Sequence, residues 1–180
     1  QIVQGSAKFA KNPDEIWYVT DRDNEFDRLA TLNLKTKKIS YFTSAIPWEV
    51  SGYTLSKDKS KIAFETNESG LNKLYLMDTN SKKYSEIKGL PVGLVNNFDF
   101  TDDGKSLFFS QSTYDSSADI YRLDLASGKI ERWTDSEQGE MQKADMSQPK
   151  LIEWKSFDDM KITGFYYPVS KKFTGKRPVL

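Results

Sequence analysis

The chain has 180 residues, 37% hydrophobic and 13% aromatic, which is enough apolar material to build a globular core and argues against disorder. Lys plus Arg and Asp plus Glu both number 26, no basic run is interleaved with aromatics, and no apolar stretch nears the roughly 20 residues of a membrane span, so neither nucleic acid nor a membrane span is expected. Cysteine and histidine are absent, which removes disulfides, thiolate catalysis, the commonest general base and the commonest metal ligand, and with them any Ser-His-Asp triad within these residues.

In chain order, the opening "QIVQGSAKFA" lacks the basic segment and apolar core of a secretory leader, and the compartment, cytoplasm or periplasm, stays open. From Phe9 the chain repeats itself. "FAKNPDEIWYVTDRDNEFDRLATLNLKTKKISYFT", "LSKDKSKIAFETNESGLNKLYLMDTNSKKYSEI" from Leu55 and "FTDDGKSLFFSQSTYDSSADIYRLDLASGKIERWT" from Phe100 align without strain. Ile16, Ile62 and Leu107 are 46 and 45 residues apart, and Leu32, Met77 and Leu123 are 45 and 46 apart. Asn33, Asp78 and Asp124 share a position, as do Thr36, Ser81 and Ser127, and Lys38, Lys83 and Lys129.

Each copy reads strand, turn, strand, loop, strand, turn, strand. The turn "TDDGKS" places Asp and Gly where side-chain capping and positive φ are needed, and "SKDKSK" in the second copy keeps the Asp without the Gly. The strands "IWYV", "IAF" and "LFF" are apolar at successive positions, as when both sheet faces are covered. Gly128 is placed to take positive φ in the last turn of the third copy.

A WD40-like period near 45 residues with four short antiparallel strands per copy predicts an all-β fold: three blades of a β-propeller, followed by a short β-hairpin. A repeat sandwich is the alternative. Domain boundaries are expected at 1–134 for a partial propeller, 135–149 for a linker and 150–180 for a separate terminal segment. Because propellers close with about 4 to 8 blades, three are expected to leave two apolar faces open, to be covered by self-association or by more of a longer polypeptide.

The acidic run "TDRDNEFD" sets Asp21, Asp23, Glu25 and Asp27 at alternating positions, but Phe26 and Leu32 stand where an EF-hand loop needs Gly and Glu, so a solvated loop is expected. The pairs Asp102/Asp103 and Asp158/Asp159 sit in turns, where adjacent carboxylates cap backbone amides rather than share a proton. "NES" at Asn67 to Ser69 matches the glycosylation acceptor pattern by chance. Trp17 and Trp133 align with Ala63 and Phe108, and with Phe42 and Ile87, so packing is expected of them; Trp48, in an inter-blade connection, is the tryptophan to consider for surface contact. No catalytic, cofactor-binding or metal-binding residue is assigned, and no cofactor is implied.

After the polar "DSEQGEMQKADMSQP" come "KLIEWKS", the acidic turn "FDDM" and "KITGFYYP", then "VSKKFTGKRPVL". Through Pro149, Glu153, Trp154, Ser156, Asp158, Ile162, Gly164, Phe165 and Pro168 this stretch resembles the handover from propeller to α/β-hydrolase domain in the prolyl oligopeptidase family of serine peptidases, and the blades resemble those of that family and of TolB. Asp159 departs from the family's Gly but tolerates the left-handed conformation. The resemblance implies that 150–180 begins a hydrolase domain, that "RPVL" starts the strand running to His-Gly-Gly, and that the Ser of a GxSxG elbow with its Asp and His lies beyond Leu180. It implies a segment inactive by itself that limits access of peptide substrates to the hydrolase; a TolB-like propeller binding a protein partner is the alternative.

Overall fold

The computed structural model describes residues 6–137, 139–140, 145–169 and 175. Among these residues the chain forms three four-stranded antiparallel sheets and one two-stranded hairpin, with no α-helix. The first sheet orders β1 (Lys8–Phe9), β2 (Glu15–Thr20), β3 (Arg28–Asn33) and β4 (Ile39–Tyr41). The second orders β5 (Val50–Leu55), β6 (Lys61–Glu68), β7 (Leu71–Asp78) and β8 (Tyr84–Glu86), and the third β9 (Gly93–Phe100), β10 (Ser106–Thr113), β11 (Ser116–Asp124) and β12 (Ile130–Arg132). β13 (Lys150–Lys155) pairs only with β14 (Lys161–Tyr166). Each four-stranded sheet is a meander in sequence order, the propeller blade that the repeat predicts.

The turns form for the reasons their residues supply. Asp103 accepts from Thr101 Oγ1 (2.6 Å) and Lys105 N (3.0 Å), while Gly104 turns through φ +65°. In the second blade Asp58 accepts from Ser56 Oγ (2.7 Å) and Ser60 N (3.0 Å), and those hydrogen bonds hold its carboxyl well below the usual carboxylate range. Lys59 takes the glycine's left-handed conformation at φ 59°, at a cost of about 1 kcal/mol. In the last turns the amides of Thr36, Ser81 and Ser127 donate to Asn33, Asp78 and Asp124 at 2.8, 2.7 and 2.8 Å. Gly128 has φ +72°, and Lys37 and Lys82, its counterparts, have φ 59°.

β6 is the centre of the molecule. Ile62, Ala63 and Phe64 are each completely buried, because alternate side chains enter different cores. Ile62 and Phe64 pack with Trp17, Val19 and Leu29 of the first blade; Ala63 packs with Leu107 and Phe109 of the third. Tyr53 crosses from the second blade to lie 2.8 Å from Trp17 O and 2.7 Å from Ser6 O, and burial pushes its hydroxyl up to about 12.

The outermost strands are only three residues long, and a side-chain pair at one recurring position ties each to its neighbour. In blade one Arg28 stacks 3.9 Å from the Tyr41 ring centroid. In blade two Lys73 and Glu86 approach to 3.9 Å, and in blade three Arg132 and Asp119 to 2.5 Å. The chemistry changes from cation–π to ion pair of either polarity while the place is kept.

Among the described residues the outer faces of blades one and three are covered unevenly: on blade one Tyr18 and Ala30 are buried. Ile16 and Leu32 of blade one are half-buried, whereas Ile62 and Met77 at the matching places in blade two are wholly buried. On blade three Trp133 packs edge-to-face on Phe108 with ring centroids 4.8 Å apart, yet is 59% exposed. Packing was expected of Trp133 as of Trp17; Trp17, at 1% exposure, is covered by blade two, while among the described residues Trp133 packs on Phe108 and is otherwise exposed.

Candidate functional site

The hairpin comes close to blade two at Gly70. A Cβ added to Gly70, at φ +85° in the β6–β7 turn, would lie 2.8 Å from Phe165 Cε2 of β14. Ser69 and Gly70 both have positive φ, which a two-residue connection between twisted strands requires, and Asn67 Oδ1 accepts from Gly70 N at 2.9 Å. Within the hairpin Trp154 lies across Gly164, 3.1 Å from where a Cβ would stand. Its turn closes with Ser156 N donating to Met160 O (2.8 Å) and Asp159 at φ 62°, the left-handed conformation that the sequence reading expects there. "RPVL" and residues 138, 141–144 and 170–174 lie outside the described residues.

Between the hairpin and blades two and three is a cavity of about 470 Å³. Leu71 comes from blade two, Val92 and Leu94 from the connection and strand that follow, Tyr114 from blade three, and Phe165 and Tyr167 from the terminal segment. Gly93 lets β9 and β10 approach closely at its edge: a Cβ there would collide with Ser112 O. Asn67, Ser112 and Thr113 supply polarity, and among the described residues the lining holds no Asp, Glu, Lys or Arg. The described lining can bind and shield an apolar group.

A second feature runs across the first strands of the three blades. Lys8 Nζ donates to Thr54 Oγ1 (3.5 Å), and Thr54 Oγ1 donates to Asp99 Oδ1 (2.8 Å). These residues are 46 and 45 apart, so one repeat position supplies a donor, a relay and an acceptor. Three residues further along, Lys57 pairs with Asp102 at 3.0 Å. Sequence reasoning missed both because it sought identical residues at each position, whereas these positions carry complementary ones.

The acids considered from the sequence stay apart. Arg22 and Asp23 approach to 3.8 Å. Asp27 holds Val50 N with its carbonyl (2.9 Å), and burial, then Glu49 and Asp21, raise its carboxyl above the usual range. Among the described residues no three acidic side chains converge as metal ligands. Asp158 accepts from Met160 N (3.3 Å), and Asp159 takes Lys155 at 3.2 Å. Trp48 is half-buried, and Trp154 is 49% exposed.

No family model matches the sequence, and no curated protein does. Solved structures do. Puromycin hydrolase superposes with a TM-score of 0.79 at 16% identity over 99% of this chain and 28% of its own. Prolyl oligopeptidase B from Galerina marginata gives a TM-score of 0.73 at 13% identity, over 92% of this chain and 23% of its own. TolB from Acinetobacter baumannii gives 0.58 at 18% identity, over 93% and 44%. The chain thus spans about a quarter of the length of these peptidases and has the blade architecture that they and TolB share.

Proposed function

We propose that the chain is the non-catalytic propeller portion of a prolyl oligopeptidase-like serine peptidase, with residues 135–149 as linker and 150–180 as the first part of its hydrolase domain. The observation that carries this reading is the β13–β14 hairpin seated through Phe165 on Gly70, directly after three blades. A free-standing propeller has no use for a hairpin that joins none of its sheets, whereas a hydrolase domain must begin by docking on the propeller. The likeness to puromycin hydrolase, covering 99% of this chain, takes in the hairpin as well as the blades.

In this reading the residues act by exclusion and positioning. The cavity under the hairpin, whose described lining is largely apolar, lies at the seam between the two parts and restricts which peptides pass to a serine nucleophile outside this segment. A TolB-like module that binds a protein is the second reading, favoured by the TM-score of 0.58 over 93% of the chain.

The nucleotide sequence following Leu180 tests the first reading. An open frame encoding His-Gly-Gly and then GxSxG supports it; a stop codon, or a frame without those motifs, sinks it. The purified segment is expected to show no esterase or peptidase turnover, and turnover abolished by a serine-reactive inhibitor would refute the division of roles.

A further inference from the structure

The seam between blades two and three is tied at one end and hollow at the other. At the β5–β6 and β9–β10 turns, Thr54 donates to Asp99 (2.8 Å) and Lys57 pairs with Asp102 (3.0 Å). Between the two sheets Ala63 and Leu74 pack with Leu107 and Phe109, all buried. At the opposite end, beside the β6–β7 and β10–β11 turns, lies the cavity of about 470 Å³. Blades two and three meet there, and the hairpin lies over them with Phe165 at Gly70. None of these walls is an outer face of blade one or blade three.

The polar side chains of the described lining differ in what they can offer. Ser112 Oγ accepts from Asn96 Nδ2 (3.0 Å) and donates to Ser117 O, and Thr113 Oγ1 donates to Asp115 Oδ1 (2.7 Å). Both hydroxyl hydrogens are thus used inside the protein. Asn67 Oδ1 accepts from Gly70 N (2.9 Å), which leaves Nδ2 as the donor that this side chain can present. Around it stand Leu71, Val92 and Leu94 and the rings of Tyr114, Phe165 and Tyr167. The volume lies within the about 300–1,000 Å³ of small-molecule sites. Val92, Leu94, Tyr114 and Tyr167 are exposed, so apolar surface remains for an occupant to cover. One amide donor among rings and aliphatic groups fits a neutral aromatic group that carries a carbonyl oxygen. An ionised group meets no counter-charge in the described lining and is disfavoured.

We infer that this cavity binds a neutral aromatic amide, its ring among Tyr114, Phe165 and Tyr167 and its carbonyl accepting from Asn67 Nδ2. Phe165 and Tyr167 belong to the terminal segment and the remaining rings and aliphatic groups to blades two and three, so an occupant touches both and fastens one to the other. Among the described residues β13 and β14 pair with no other strand, and side-chain contacts of this kind are what hold the hairpin in place. The binding itself stands on the cavity. Its consequence, that a peptide bearing an aromatic residue steadies the seam between propeller and hydrolase, rests on the peptidase reading.

Titration of the full chain with N-acetyl-tryptophanamide, followed by heteronuclear NMR, tests it. Saturable shifts at Asn67, Tyr114 and Phe165 are expected, with slower amide exchange across Lys150–Tyr166 at saturation. N-acetyl-tryptophan, ionised at neutral pH, is expected to bind at least about tenfold more weakly. Absence of saturable binding, or shifts confined to other parts of the chain, overturns the inference whatever else fills the space. Val92→Asp puts a charge on the lining at an exposed position and is expected to weaken binding at least about tenfold. Asn67→Asp keeps an acceptor for Gly70 N and removes the donor, with a similar loss expected. In a variant that keeps the parent's strand circular dichroism, unchanged affinity refutes the site for Val92→Asp and the carbonyl contact for Asn67→Asp. Binding that leaves exchange in the hairpin as it was refutes the fastening. The sequence after Leu180 tests the peptidase reading separately, so either can fail without the other.

Discussion

Asp119 and Arg132 meet at 2.5 Å between β11 and β12, the carboxylate side chain wholly buried and the guanidinium side chain 30% exposed. Asp119 also accepts from Thr134 Oγ1 and Ser136 N, each at 2.8 Å, and from the Ser116 hydroxyl. One carboxylate thus gathers the β10–β11 turn, the short outer strand and the segment leaving the blade. Asp119→Asn keeps the shape and removes the charge, leaving donors without an ionised acceptor. We expect a loss of about 3 kcal/mol, read as a lower urea midpoint with unchanged slope. A midpoint within error of the parent would show that the network adds nothing to stability.

The same residue sets an acid dependence. Burial favours its neutral form, but the hydrogen bonds from Ser116, Thr134 and Arg132 together outweigh that, so the folded-state carboxyl lies well below the usual carboxylate range. A depressed folded value means stabilisation that is fully present above the unfolded-state value of about 3.9 and is lost as pH falls below it. Urea midpoints measured between pH 6 and 2 should fall for the parent and fall less for Asp119→Asn. Parallel curves would assign the acid limb to other carboxylates, with Asp58 the first to examine because its hydrogen bonds also lower it.

Much of this architecture is legible in the sequence because a repeat prints each structural requirement three times. The left-handed turn at Gly104, the polar position shared by Asp78 and Asp124 and the doubly covered strand Ile62–Ala63–Phe64 were all readable as local chemistry. What escaped was whatever one copy does differently. Lys37, Lys59 and Lys82 hold positive φ without a glycine to announce it. The chain Lys8–Thr54–Asp99 and the pairs Arg28–Tyr41, Lys73–Glu86 and Asp119–Arg132 vary in chemistry at a fixed place, so alignment by similarity passes over them. The cavity under the hairpin was illegible because it depends on Phe165 reaching Gly70, 95 positions earlier (165 minus 70).

Trp17 and Trp133 separate burial from residue type. Trp17 is 1% exposed against Phe42 and beneath Lys82, so Trp17→Ala should cost about 4 kcal/mol through lost transfer energy and a cavity. Trp133→Ala, at 59% exposure, should cost under about 1 kcal/mol. Equal losses in thermal or urea unfolding at dilute concentration would mean that blade three's outer face is covered within a single chain.

Gly70 and Phe165 give the sharpest test of how the hairpin is held. Gly70→Ala meets two penalties, a φ of +85° that L residues rarely adopt and a Cβ 2.8 Å from Phe165 Cε2. Gly104→Ala, at φ +65° with nothing within 4 Å of its Cβ, meets only the first and serves as the reference. Strain alone costs about 1 kcal/mol at either site. The steric part at Gly70 can be relieved by moving the hairpin away, because β13 and β14 pair only with each other. Gly70→Ala should therefore speed amide exchange across Lys150–Tyr166 while leaving β6 protected, and Gly104→Ala should leave the hairpin unchanged. Adding Phe165→Ala removes the clash, so the double variant should lose less than the sum of the single losses, with a coupling of about 1 kcal/mol. Simple additivity, or exchange spreading through β6 and β7, would show that the Gly70 turn supports blade two itself rather than the seat of the hairpin.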